Sequence, residues 1–199
     1  LIERTDAGRF RRAEGVGYPL GVISTRRLAW TALVWNIIVI LLGALVRATG
    51  SGAGCGASWP TCEGVIVPEL EGATAVEFTH RAASGIALIL LAWLVVRVFR
   101  TNAKGTPVRK AAVLSGVGII SESLIGAVIV IFEWVENDAS VARAISVPIH
   151  LVNTLVLLAG LTLVVYWVDR DRVVRLDRPI SRPIFGFGIG MLVIAATGA

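Results

Sequence analysis

Apolar residues fall in blocks along this chain, and charged residues collect between them. The first apolar run, Leu28 to Val46, holds no charged residue. The second, Phe78 to Val96, is charged only at its His80-Arg81 entrance. The third, Ala111 to Phe132, is interrupted by Glu122, and the fourth spans Ala144 to Val168. A fifth begins at Ile184 and runs to Ala199. About 20 apolar residues in helical form cross a bilayer core. The first four runs therefore predict transmembrane helices, and the fifth predicts the start of another. Backbone groups in lipid are satisfied only within helices or closed barrels, and runs of this length exclude barrel strands. Short connections make neighbours antiparallel. The expected fold is all-α, a polytopic transmembrane four-helix bundle.

Charge adds an orientation. Sixteen of the 19 Lys and Arg residues lie in 1–27, in the second-to-third connection, or after the fourth run. The other two connections hold only Arg47, Arg81 and Arg143, and are rich in Glu and Asp. Basic loops stay on the cytoplasmic side. We therefore expect a cytoplasmic N-terminus, with residues 47–77 and 133–143 outside. The net charge of +5 is explained by these flanks, which removes the case for nucleic acid. Hydrophobic residues make up 55% and charged residues 17%, against about 25% charged in soluble domains. The six tryptophans suit membrane–water interfaces. The chain starts at Leu1 with no cleavable signal, so a piece of a longer protein is expected. Leu42-Gly43-Ala44 at the end of the first run is echoed by Thr197-Gly198-Ala199 in the fifth, a hint of a four-helix repeat.

The first outer loop is glycine-rich at 50, 52, 54 and 56, which opposes helix and permits tight turns. It contains both cysteines of the chain, Cys55 and Cys62. On an oxidising side a disulfide is the natural reading. It would serve as a structural staple or as a redox-active pair. Zinc would need more ligands than this loop offers.

The two histidines, His80 and His150, each lie near the outer end of an inward-running helix. Two such imidazoles at similar depth can ligate a heme iron from both sides, or they can be polar residues satisfied by neighbouring helices. Imidazole also suits zinc or copper. Glu77 precedes His80 by three residues, so the two share a helix face. It could accept a proton, or simply favour the helix N-terminus. Arg47 and Arg81 could meet anionic groups such as heme propionates, or snorkel to the interface. Glu122 in the third run must be protonated, hydrogen-bonded or facing a cavity. Asn153 and Thr154 lie one turn below His150 and could orient it or act as interhelical glue.

Gly43-Ala-Leu-Val-Arg-Ala-Thr-Gly-Ser-Gly52, with Cys55, Trp59-Pro60 and Cys62, resembles the start of the heme A synthase family. Glu77-Phe-Thr-His80-Arg81 and Pro148-Ile-His150-Leu-Val-Asn153 extend the resemblance over nearly the whole chain. It implies eight helices in two related four-helix halves. In that scheme 1–27 is a cytoplasmic segment and 28–168 the bundle that binds substrate heme. Residues 169–183 form a basic connection, and 184–199 open the second half. The resemblance implies heme O as substrate between His80 and His150, Glu77 as a catalytic residue, and Cys55 with Cys62 as the outer cysteine pair. Heme B is implied as a cofactor of the second half. The implied reaction oxidises a methyl substituent of heme O to a formyl group, for cytochrome oxidase assembly. Lipid, a heme O synthase donor and a homo-oligomer are the implied partners, in a bacterial cell membrane. The stretch alone would bind substrate without turning it over. Glu122 departs from the neutral amide that the resemblance leads one to expect. The main alternative is a bis-histidine cytochrome b type electron carrier.

Overall fold

The computed structural model describes residues 23–135 and 138–169, with 186, 189 and 190. Four helices follow one another: α1 Thr25–Ala48, α2 Gly72–Thr101, α3 Pro107–Ile131 and α4 Val141–Trp167. Each is long and apolar enough to cross a membrane. The 24 residues of α1 span about 36 Å at 1.5 Å each, which exceeds a hydrocarbon core of about 30 Å. Of the fifth run only 186, 189 and 190 are described, and residues 170–183 of the basic connection and the second member of the hinted repeat, 197–199, lie outside the described residues.

The ends are set by local chemistry. Ser24 caps α1 by accepting from Arg27 N at 3.2 Å, and Ser140 caps α4 by accepting from Arg143 N at 3.2 Å. Pro107 opens α3, where its missing N–H is not needed. The largest departure from the apolar pattern is α2, which begins six residues before Phe78 and ends five after Val96. Its polar entrance is helical because Glu77 and Arg81 find partners in the adjoining loop.

The helices form an antiparallel ring. Helix α1 packs on α2 and α4, and α3 packs on α2 and α4. The diagonal pairs α1–α3 and α2–α4 make no close backbone approach. Small residues bring α3 and α4 together: a Cβ on Gly160 would sit 2.7 Å from Ser115 Oγ, and one on Gly118 would sit 3.2 Å from Leu157 Cβ. Trp35 joins α1 to α2 by donating Nε1–H to Ala83 O at 2.9 Å.

Packing is uneven along the bundle axis. The core is built from Leu28, Ala32, Leu91, Leu94, Val98, Ala112, Leu161 and Val164, at the end bearing the basic residues. Toward the loop end no residue of α1 after Asn36 is buried, and none of α4 before Leu157. Both histidines lie at this loosely packed level.

Candidate heme-binding site

His80 stands on α2 and His150 on α4, so the two occupy a diagonal of the ring. Their imidazoles are near enough to interact electrostatically. Each ring rests against a glycine of a neighbouring helix. A Cβ on Gly43 of α1 would lie 3.0 Å from His80 Cε1, and one on Gly126 of α3 would lie 3.5 Å from His150 Cε1. The Val39 carbonyl, one turn before Gly43, faces His80. Nevertheless Nδ1 of either ring has no well-aligned hydrogen-bond partner. Nothing in the local pattern singles out Gly43 and Gly126 as seats for the rings. Their signal would have been helical registry with the histidines, which requires knowing which helices pair.

Around His150 the polar residues form one cluster. Glu122 Oε1 lies 3.3 Å from His150 Nδ1. Asn153 donates Nδ2–H to Glu122 Oε2 at 2.5 Å and to Gly118 O at 3.0 Å. Thr154 Oγ1 hydrogen-bonds to Glu122 Oε1 and lies 3.0 Å from His150 O. Ser121 Oγ donates to Asn153 Oδ1 at 2.8 Å. Asn153 and Thr154 do lie beside His150 as expected, but their side chains hold Glu122 rather than the ring.

Glu77 is turned elsewhere. It is buried, and its carboxylate accepts from Cys55 N at 2.7 Å and from Arg81 Nε at 3.0 Å, with Arg81 Nη2 as a further donor. Arg81 Nη1 donates to Thr61 O at 2.8 Å and to Ser58 O at 2.5 Å. The shared helix face of Glu77 and His80 therefore does not bring carboxylate and imidazole onto one target. The carboxylate grips the loop, while the ring lies on α1. Arg81 spends most of its donors within the chain, so a propionate could claim little more than the second Nη2 hydrogen. Arg47 stands in the last turn of α1.

The loop itself is tied down. Cys55 and Cys62 are bonded, with Sγ–Sγ 2.01 Å. Cys62 and Val65 exchange backbone hydrogen bonds of 2.9 and 3.0 Å. Gly54 approaches α2 so closely that a Cβ would fall 2.4 Å from the Ala73 carbonyl, and Thr74 Oγ1 donates to Gly54 O at 2.6 Å. Gly56 and Gly64 take φ of +59° and +82°, which side chains strain to adopt.

Among the described residues no group of three or more His, Cys, Asp or Glu converges as a metal site. Two imidazoles suffice as ligands when a macrocycle supplies the remaining donors. The glycine seats beside the two rings, at a level where α1 and α4 bury no residue, fit such a flat group.

Comparison with known sequences agrees. The sequence model of COX15-CtaA, described as cytochrome oxidase assembly protein, matches residues 26–75 and 69–199. The chain is 33% identical over 181 residues to the heme A synthase of Staphylococcus carnosus, covering 87% of this chain and 57% of that protein. It is 34% identical over 181 residues to that of Geobacillus thermodenitrificans, covering 87% of this chain and 56% of that protein. A Thermus thermophilus protein named protoheme IX farnesyltransferase is 46% identical over 174 residues, covering 86% of this chain but 29% of its own length.

Proposed function

This chain belongs to the COX15-CtaA family of cytochrome oxidase assembly proteins, and from that premise we propose that it is the substrate-binding part of a heme A synthase. The substrate is heme O, held between His80 and His150, and the full protein oxidises one of its methyl groups to a formyl group. The observation that carries this reading is the diagonal pairing of the two imidazoles. They stand on diagonal helices, near enough to interact, at a level where α1 and α4 bury no residue. A second heme, heme B, would belong to the rest of the protein, since this chain spans little more than half of the heme A synthases it matches.

Bound heme supplies an iron able to exchange electrons during the oxidation. The chain's own residues present it. His80 and His150 would hold it, and the apolar faces of the helices would keep water from it. Glu77 and Arg81 hold the disulfide loop over the loop end. A role for Glu77 as proton acceptor would compete with that grip, because its oxygens are engaged by Cys55 and Arg81. In this reading the loop end lies on the extracytoplasmic face of a bacterial membrane, which the basic flanks support.

The farnesyltransferase name fits this scheme without changing it. The match covers 29% of that protein, so most of its length lies outside the shared region. Farnesylated protoheme is the substrate proposed here, so an enzyme that farnesylates protoheme IX is the natural supplier.

The test is a pyridine hemochrome spectrum with mass analysis of extracted heme, on the full-length protein and its His80→Ala and His150→Ala variants. Heme O with heme A in the parent, and loss of heme O in both variants, is the expected result. Heme B alone, unmodified and reversibly redox-active, would replace this reading with a cytochrome b type carrier.

A further inference from the structure

Glu122 sits in the apolar span of α3, where a carboxylate is expensive unless it is paired or hydrogen-bonded. It meets His150 Nδ1 at 3.3 Å. Its two other partners, Asn153 and Thr154, belong to the same turn of α4 as His150. The carboxylate is thus fastened to the turn that carries the ring it faces. Gly126, one turn further along α3, lies against the Cε1 edge of the same ring. The imidazole is therefore bounded by α3 at two points.

Resting on the heme-binding reading, we propose that Glu122 is a positioning residue for His150. It receives the imidazole Nδ1–H, fixes the ring's rotation and tautomer, and leaves Nε2 to face the iron across the bundle axis. Histidines that bind metals commonly donate their other N–H to a carboxylate, which also makes the ring a stronger donor. The 3.3 Å contact is not aligned as a hydrogen bond, and the proposed role requires the ring to turn so that Nδ1–H points at the carboxylate.

Interhelical adhesion does not explain a carboxylate here. Ser121, Asn153 and Gly118 already join α3 to α4 through hydrogen bonds that bypass Glu122. His80 has no comparable partner, because Glu77 is committed to Arg81 and the loop. The two histidines would therefore be unequal ligands, His150 with a carboxylate behind its ring and His80 with the Val39 carbonyl.

The experiment uses the full-length protein, stripped and titrated with hemin, with the bound heme of this half followed by redox titration and low-spin electron paramagnetic resonance. Glu122→Ala is expected to weaken heme binding by about 10- to 100-fold. Its midpoint potential is expected to move positive and its g-values to change. Glu122→Gln, similar in size and still able to hydrogen-bond, should also move the potential positive while losing less affinity. Glu122→Asp should recover part of both. Wild-type affinity, potential and g-values in Glu122→Gln and Glu122→Ala, with heme still lost in His150→Ala, would overturn the positioning role and leave the heme site standing. Undiminished heme binding in His80→Ala and His150→Ala would overturn the site, and this inference with it. If Glu122→Ala does not insert, the near-isosteric Glu122→Gln decides: an unchanged potential there refutes the role.

Discussion

His80 and His150 occupy matching places on parallel helices, yet each is served by a different kind of neighbourhood. Beside His80 the ionised groups face away from the ring. Glu77 and Arg81 grip the outer loop, and the imidazole is left with Gly43 and the Val39 carbonyl on α1. Beside His150 the carboxylate faces the ring, and the neighbouring helix α3 supplies it. A Glu three residues from a His in sequence is thus not the acid that meets a His in space. Helical spacing decides which side chains share a face; the donors around each carboxylate decide where it is used.

The largest effect should separate the rings from their surroundings. Loss of either imidazole, in His80→Ala or His150→Ala, is expected to abolish heme binding in this half, read from the heme-to-protein ratio after purification. Next comes the loop clamp on the His80 side. Arg81→Ala strands a buried carboxylate and is expected to destabilise the fold by about 3–5 kcal/mol, measured by thermal or denaturant unfolding. Glu77→Gln sharpens this point. Retained turnover would assign Glu77 to the clamp, and abolished turnover with an intact fold would assign it to proton transfer. Removing the disulfide by Cys55→Ser should cost about 2–3 kcal/mol in the same unfolding assay.

Smaller effects compare the two seats. Gly43→Ala places a Cβ 3.0 Å from His80 Cε1, so the ring must shift, at a cost of about 1–3 kcal/mol in heme affinity. Gly126→Ala meets His150 at an ordinary 3.5 Å and should stay within about 0.5 kcal/mol of the parent. Equal losses in both would remove the asymmetry between the rings. The smallest change is expected from Arg26→Ala. It breaks an exposed 3.2 Å pair with Asp169, worth at most about 1 kcal/mol, and should leave heme affinity untouched.

The four spans were legible because lipid imposes a length and a polarity that the chain must display openly. The boundaries of α2 were not, since Glu77 and Arg81 look like loop residues until their partners on residues 55–61 are known. Cys55 and Cys62 were readable as a pair, being two cysteines in one short loop. The diagonal placement of His80 and His150 followed in part from parallel helix direction, but ring order fixes it, and no local pattern encodes ring order. Glu122 was visible as an anomaly in an apolar run. Its relation to His150 was hidden because the two are joined only by the packing of α3 on α4, which small residues at 115, 118 and 160 make possible.

The uneven packing described above has a bearing on the lifetime of the protein. One end of the bundle is closed by its own side chains. The other has no buried residue on α1 beyond Asn36 or on α4 before Leu157. A flat group seated there acts as the keystone of an arch whose feet already stand. Ligand that binds only the folded state adds its binding free energy to stability, about 2.7 kcal/mol at a hundredfold excess over Kd. When heme is scarce, the loop end would be the first part to open to proteases. The amount of this protein in the membrane would then follow the supply of the heme proposed as its substrate.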